Sequence, residues 1–222
     1  MIISDREKFV FIHNPKVGGM TFRTALMRHD TRDNFFFEWR WLPGGKKQVD
    51  MAHITLFQLQ QFYPQVLAEI APYFKFGFVR NPYTRFLSAV GQHLKLGTPH
   101  TRTAILRDPG LFYRVADSFA QTVLDEALIE GDFKLVHFRR QSNFLYLAGK
   151  QWVDLVLKLE DPDAIIGTPV EAWLGSSAPT AHNRTAAFVE DGYDLGALAP
   201  ETLAAVSAFY ALDFDRFGYD RL

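Results

Sequence analysis

The chain alternates short apolar runs with segments whose apolar residues recur at helical spacing. Phe9-Val10-Phe11-Ile12 combines β-branched and aromatic residues in the pattern of a buried strand. A polar turn, Asn14-Pro15-Lys16, and a glycine pair, Gly18-Gly19, lead into helical spacing from Thr21 to Met27. Asn34 to Phe37 reads as a second strand, and Val49 to Ile54 as a short strand or extended segment with His53 at its end. Thr55 caps a helix with Leu56, Leu59 and Phe62 on one face, and Pro64 restarts a helical turn through Ile70. Phe74 to Val79 is the clearest strand, followed by Asn81 as N-cap and Pro82 as first residue of a helix to about Leu96.

Gly97 to Gly110 reads as a polar loop bounded by turn signals, and so does Gly175 to Asn183. Between them, Asp117 or Ser118 caps a helix through Glu130 whose core face is Phe119, Val123, Leu124, Ala127 and Leu128. An apolar helix around Phe144 to Ala148, a strand from Trp152 to Leu159 and a helix opening at Asp161-Pro162 follow. The last helix starts at Pro200 with Leu203, Val206 and Phe209 on its core face. Strands alternating with helices predict an α/β fold with a largely parallel sheet. No repeat or long linker divides the chain, so one domain over residues 1–222 is expected.

Composition narrows the function. The chain has 222 residues, 48% of them hydrophobic, enough for a sizeable single core. A net charge of -1 provides no global basic field, so no nucleic-acid partner is expected and any polyanion site must be a local pocket. Zero cysteines exclude disulfides, thiolate catalysis and cysteine metal sites. No run of about twenty apolar residues occurs, so no transmembrane segment is expected, and the reading is of a cytoplasmic protein.

Two strand-to-helix junctions carry the candidate chemistry. At the first, a Gly-containing turn opening a helix aims backbone N–H groups at an anion, and Lys16 adds a full charge. A structural turn with a solvated lysine is the alternative. The nucleotide P-loop places its lysine after the last glycine, followed by Ser or Thr; here Lys16 precedes the glycines, and no GK[ST] string exists. At the second, Arg80 ends an apolar strand at the mouth of a helix, and Ser88 lies about two turns further in. Arg85, between them, reads as a surface ion pair. His53, ahead of a helix, could point into a cleft or be a hydrogen-bonded structural histidine.

Two separated anion sites in one α/β chain suggest a nucleotide with phosphates at both ends of its ribose. The strings IHNPKVGGMTF (Ile12 to Phe22) and FGFVRNPYTRFLSAV (Phe76 to Val90) resemble the 5′-phosphosulfate loop and the 3′-phosphate motif of 3′-phosphoadenosine 5′-phosphosulfate (PAPS)-dependent sulfotransferases, nearest the carbohydrate (family 2) branch. Weaker echoes are AHITLFQL near His53, HFRRQSNFLYL from His137, and the ending DFDRFGY. The resemblance implies a three-layer P-loop-like fold with a central, mainly parallel sheet flanked by helices. It implies donor contacts from Lys16, Val17, Gly18, Gly19, Met20, Thr21 and Phe22 at the phosphosulfate, and from Arg80 and Ser88 at the 3′-phosphate. Asn183, Arg184 and Thr185 would belong to a loop closing over the nucleotide, and His53 would be the general base. Met20 departs from the pattern, which usually has Ser or Thr there.

The implied reaction moves a sulfonyl group from PAPS to a hydroxyl of a glycan or small hydroxylated acceptor, with phosphoadenosine phosphate (PAP) as product and no metal. Lys16 would stabilise charge growing on the bridging oxygen, and neutral His53 would take the hydroxyl proton. Trp39 to Lys47, Gly97 to Gly110 and Gly175 to His182 would shape the acceptor pocket. A P-loop-like kinase or NTPase is the alternative, disfavoured by the missing GK[ST]. A non-catalytic nucleotide-binding protein is another, for which Met20 is the hint.

Overall fold

The computed structural model describes residues 1–44, 48–95, 99–175 and 192–222, which fall into two compact units. Residues 1–79 and 141–183 form the first, and residues 80–140 and 184–222 the second.

The first unit is built on a sheet of β1 (Ile2–Ser4), β2 (Phe9–Ile12), β5 (Phe74–Val79) and β8 (Leu155–Lys158), in that order. β1 runs antiparallel to β2, while β2, β5 and β8 are mutually parallel. Alternation sorts the strand residues to two faces. Phe9, Phe11, Phe76, Phe78 and Leu157 join one core with Phe22 and Leu26 of α1 (Gly19–Leu26) and Val170 and Leu174 of α9 (Pro169–Leu174). Gly77 lies on the other face. A β-carbon there would come within 2.7 Å of Leu145 in α8 (Ser142–Leu145), so the glycine lets that helix close on the sheet. α2 (Leu56–Phe62) packs beside α8 and is followed by α3 (Pro64–Ile70). The fold is therefore mixed α/β, a mostly parallel sheet flanked by helices, as expected.

Two small hairpins complete this unit: β3 (Trp39–Trp41) with β4 (Gln48–Asp50), and β6 (Tyr146–Leu147) with β7 (Lys150–Gln151). The strand expected over Asn34 to Phe37 is instead a 3-10 turn over Phe35–Phe37. Asp33 and Asn34 both take left-handed φ angles, 50° and 58°, which breaks extension before the aromatic run begins. Each phenylalanine then finds its own partner: Phe36 is buried, Arg40 lies over Phe35, and Arg23 over Phe37. His53 likewise ends a 3-10 turn, Met51–His53, rather than a strand. The strand expected from Trp152 is shorter, because Trp152 still bonds back to Leu145. Around Phe144 the expected helix stops at Leu145, where β6 begins. At Asp161-Pro162 the chain makes only a 3-10 turn, Pro162–Ile165.

The second unit is helical: α4 (Pro82–Lys95), α5 (Pro99–Arg107), α6 (Pro109–Thr122), α7 (Glu126–Gly131), α10 (Pro200–Phe209) and α11 (Ala211–Phe217). Phe86, Phe112, Phe138, Val206, Tyr210 and Phe214 lie in its core. The loop expected at Gly97 to Gly110 is a correction: α5 and the start of α6 occupy residues 99–110, each opened by a proline at its first turn. The helix expected from Asp117 to Glu130 is also two helices, α6 and α7, with Asp125 capping the second through Leu128 N. Leu128, expected in the core, is exposed, and Ile129 is buried instead.

Candidate active site

The loop after β2 begins with a buried Asn14 whose Nδ2 donates to the Phe78 carbonyl at 3.0 Å. That bond ties the exit of β2 to β5, the neighbouring parallel strand. Lys16 follows with φ 66° and Gly18 with φ 75°. The left-handed angle is routine for Gly18 but costs about 1–2 kcal/mol at lysine. Such strain persists where the surroundings enforce it, and it concentrates at ligand sites. Val17 and Phe22 anchor the loop from both sides; both are buried, and Phe22 stacks on Phe78 at 3.6 Å. What Val17 can offer a ligand is its backbone N–H, whereas Phe22 N donates to the Gly18 carbonyl at 3.3 Å. Met20 is 57% exposed and Thr21 is half-buried. Because α1 starts at Gly19 and Thr21 N already donates to the Gly18 carbonyl at 3.0 Å, the N–H groups of Gly19 and Met20 are the first-turn donors that suit an anion.

His53 enters the same unit from the 3-10 turn after β4. Its Nδ1 lies 3.2 Å from the His13 carbonyl oxygen, so the neutral ring donates from Nδ1 and carries its lone pair on Nε2. Nε2 is 3.9 Å from Asp50 Oδ2, and Asp50 is fixed by accepting the Ala52 N–H at 2.9 Å. Burial holds the His53 pKa below its ordinary 6.5, against the pull of Asp50 and the His13 bond; Lys16 pushes it further down. Lys16 is therefore close enough to His53 to be felt. The rings of His13 and His53 are 4.7 Å apart, and a β-carbon on Gly19 would lie 2.1 Å from His13 Nε2. His13 thus takes the space that Gly19 leaves open. Its part was not read from the sequence; the imidazole immediately after β2 is the local signal that could have drawn attention to it.

In the second unit, Asn81 accepts from Tyr83 N at 3.0 Å and caps α4 as expected. Arg80 donates through Nε to Thr84 Oγ1 at 3.0 Å, and its guanidinium lies 5.5 Å from the Tyr193 ring centre. Tyr193 hydrogen-bonds to Ser88. The two residues expected to hold one phosphate thus share a third neighbour that sequence reasoning missed. Burial raises the Tyr193 pKa, which keeps the phenol protonated and able to donate. Arg85 is not a surface residue: it is fully buried and donates to the carbonyls of His137 (3.2 Å) and Arg139 (2.5 Å). The expected sites at Asn183, Arg184 and Thr185 lie outside the described residues, as do Lys46 and Lys47.

Each unit thus offers an anion its own group: a cationic, strained glycine turn in the first, and a guanidinium with a nearby hydroxyl in the second. Among the described residues no group of three or more His, Cys, Asp or Glu could hold a metal ion. No described helix is long and apolar enough to cross a membrane.

No curated protein and no solved structure matches the chain. A family model described as the sulfotransferase family matches residues 1–109. That segment, which holds Lys16, His53, Arg80 and Ser88, is similar to the sulfotransferase family, and the match supports a family 2-like protein and sulfonyl transfer in general.

Proposed function

We propose that the chain transfers a sulfonyl group from PAPS to a hydroxyl of a carbohydrate or related acceptor, as one sulfotransferase domain in the cytoplasm. The carrying observation is the left-handed Lys16 in a glycine turn beside a buried histidine whose lone pair lies on Nε2. When bound, PAPS supplies the sulfonyl group and a phosphate leaving group. Lys16 and the first-turn N–H groups of α1 would hold the phosphosulfate end. Arg80 and Ser88 would hold the 3′-phosphate, with Tyr193 orienting the serine. Asn183, Arg184 and Thr185 are assigned to closure over the nucleotide.

His53 Nε2 would accept the acceptor hydroxyl proton as the new oxygen–sulfur bond forms. The electron pair of the broken sulfur–oxygen bond goes to the bridging oxygen, where Lys16 meets the growing charge. Burial serves the base in two ways: it keeps the imidazole neutral near pH 7 and shields it from water.

Thermal shift with PAP, then PAP release from PAPS across a glycan panel, tests the reading. Saturating PAP at about 100 times its dissociation constant stabilises a binder by about 2.7 kcal/mol. Lys16→Ala and Arg80→Ala should each diminish that shift. Magnesium-dependent hydrolysis of ATP without any PAP shift would overturn the assignment in favour of an NTPase.

A further inference from the structure

The β3–β4 hairpin exposes two indoles on one face. Trp39 is 49% exposed and Trp41 62%, while Val49 between their cross-strand partners is buried. The register pairs Trp39 with Asp50, Arg40 with Val49 and Trp41 with Gln48. Residues directly opposite on antiparallel strands share a face. Trp39, Trp41, Gln48 and Asp50 therefore form one side of the hairpin, and Val49 turns the other side inward. Tryptophan brings a large apolar area, and two exposed together mark a surface that another molecule covers.

The composition of this face narrows what covers it. Flat apolar rings alternate with an amide and a carboxylate, a pattern that suits a pyranose. Its C–H face packs on indole, and its hydroxyls bond to the polar groups at the edge. The carboxylate disfavours an anionic lipid surface, and the interruption of the apolar area disfavours an amphipathic helix. Asp50 also joins this face to the proposed reaction centre, since its Oδ2 is 3.9 Å from His53 Nε2.

We propose that Trp39 and Trp41 form a stacking platform for the acceptor, a pyranose-containing oligosaccharide, with Gln48 and Asp50 bonding its hydroxyls. This rests on the sulfotransferase reading above for the fate of the bound sugar, but not for its binding. The platform extends the site from His53 along β4 and β3.

Intrinsic tryptophan fluorescence of the full chain, titrated with cellohexaose, chitohexaose and a heparosan hexasaccharide, tests the platform without any donor. At least one of the three is expected to change the emission saturably. Trp39→Ala/Trp41→Ala should weaken its binding, measured by calorimetry, by about tenfold or more, and Trp39→Phe/Trp41→Phe should retain most of it. Unchanged melting temperature without ligand controls for folding. Equal affinity in the alanine pair, or no binding of any of the three sugars, overturns the proposal. So does self-association or vesicle binding that the alanine pair abolishes, because the face then belongs to another occupant. Sugar binding without a PAP shift would leave the platform standing and remove the donor assignment instead.

Discussion

His53 Nδ1 faces the carbonyl oxygen of His13 at 3.2 Å, and the two imidazole rings are 4.7 Å apart. The carbonyl belongs to the residue that follows β2, so the start of the Lys16 loop also sets the tautomer of His53. A shift in that loop would move the cation and reorient the base together. Coupling of this kind makes single substitutions informative about both groups.

The pH dependence follows from the lowered His53 pKa. Burial is the main cause; Lys16 and the Met1 amino group add to it, and Asp50 and the His13 bond oppose it. A base acts when neutral, so turnover should hold as pH falls below 6.5 and decline only through the lower folded value. His53→Ala should lower turnover by about 10²–10⁴-fold while PAP still binds. Stability carries the same sign. Between pH 6.5 and the folded value the unfolded chain binds more protons, so His53's contribution is present above 6.5 and is lost as pH falls through that window. Urea midpoints measured across pH 5 to 7 in wild type and His53→Ala check this; parallel curves would contradict it.

Gly19→Ala separates helix propensity from packing. Within a helix, alanine is favoured over glycine by about 1 kcal/mol. At this position the added β-carbon would lie 2.1 Å from His13 Cδ2 and Nε2, so the ring would have to move. Destabilisation by about 1–3 kcal/mol is expected, together with lower turnover because His13 packs against His53. A chain more stable than wild type in urea would show that the His13 ring yields without cost.

Tyr193→Phe keeps the ring that stacks on Phe112 at 6.0 Å and removes the hydroxyl that bonds to Ser88. Losing one such bond costs about 1 kcal/mol. On the proposed assignment PAP affinity should then fall by several-fold, and the thermal shift with PAP should shrink accordingly. Ser88→Ala should produce a similar loss, and the double substitution should cost less than the sum, since the residues act as a pair. Additive losses would show that Tyr193 does not act through Ser88.

The sequence was most legible where one stretch of chain contains its own reason. Phe9 to Leu26 and Phe74 to Lys95 are strand, turn and helix in immediate succession, and their polarity pattern names each element. Thr55 could be read as a cap because it directly precedes the apolar face of Leu56, Leu59 and Phe62, and the structure adds Gln58, three residues on, closing a capping box. Legibility failed where distant residues decide. Arg85 looked like a solvated charge because the carbonyls that receive it belong to His137 and Arg139. The polar segment after Gly97 looked like a loop because its polar run gives little sign of the helix that sets Ile105 in the core. Tyr193 could not be linked to Ser88 by spacing at all.

Arg85→Ala should therefore behave as a core lesion. It leaves the buried Arg139 carbonyl and the part-buried His137 carbonyl without their donor and removes a guanidinium that lies 5.7 Å from the Tyr210 ring centre. Leaving an enclosed carbonyl without its donor costs about 1–3 kcal/mol, so a loss of that order for each is expected. Arg85→Lys should recover only part of this, because an ammonium cannot reproduce the planar fork. Urea denaturation reads both; a loss under about 0.5 kcal/mol, the range of ordinary surface changes, would return Arg85 to the surface.

Lys16→Gly sets stability against activity at one residue. The lysine sits at φ 66°, a conformation that glycine adopts without penalty. Relief of strain of about 1–2 kcal/mol outweighs the greater entropy that glycine brings to the unfolded chain, about 0.5–1 kcal/mol. The folded state should thus gain slightly or hold level. Turnover should move the other way, falling by about 10²–10³-fold as charge on the leaving oxygen goes unanswered. Lys16→Ala keeps the strained backbone and also loses the charge, so it should be the less stable of the two and equally inactive. If Lys16→Gly melted well below wild type, the left-handed turn would not be a strained one. If it kept full turnover, Lys16 would not be the group that meets the developing charge.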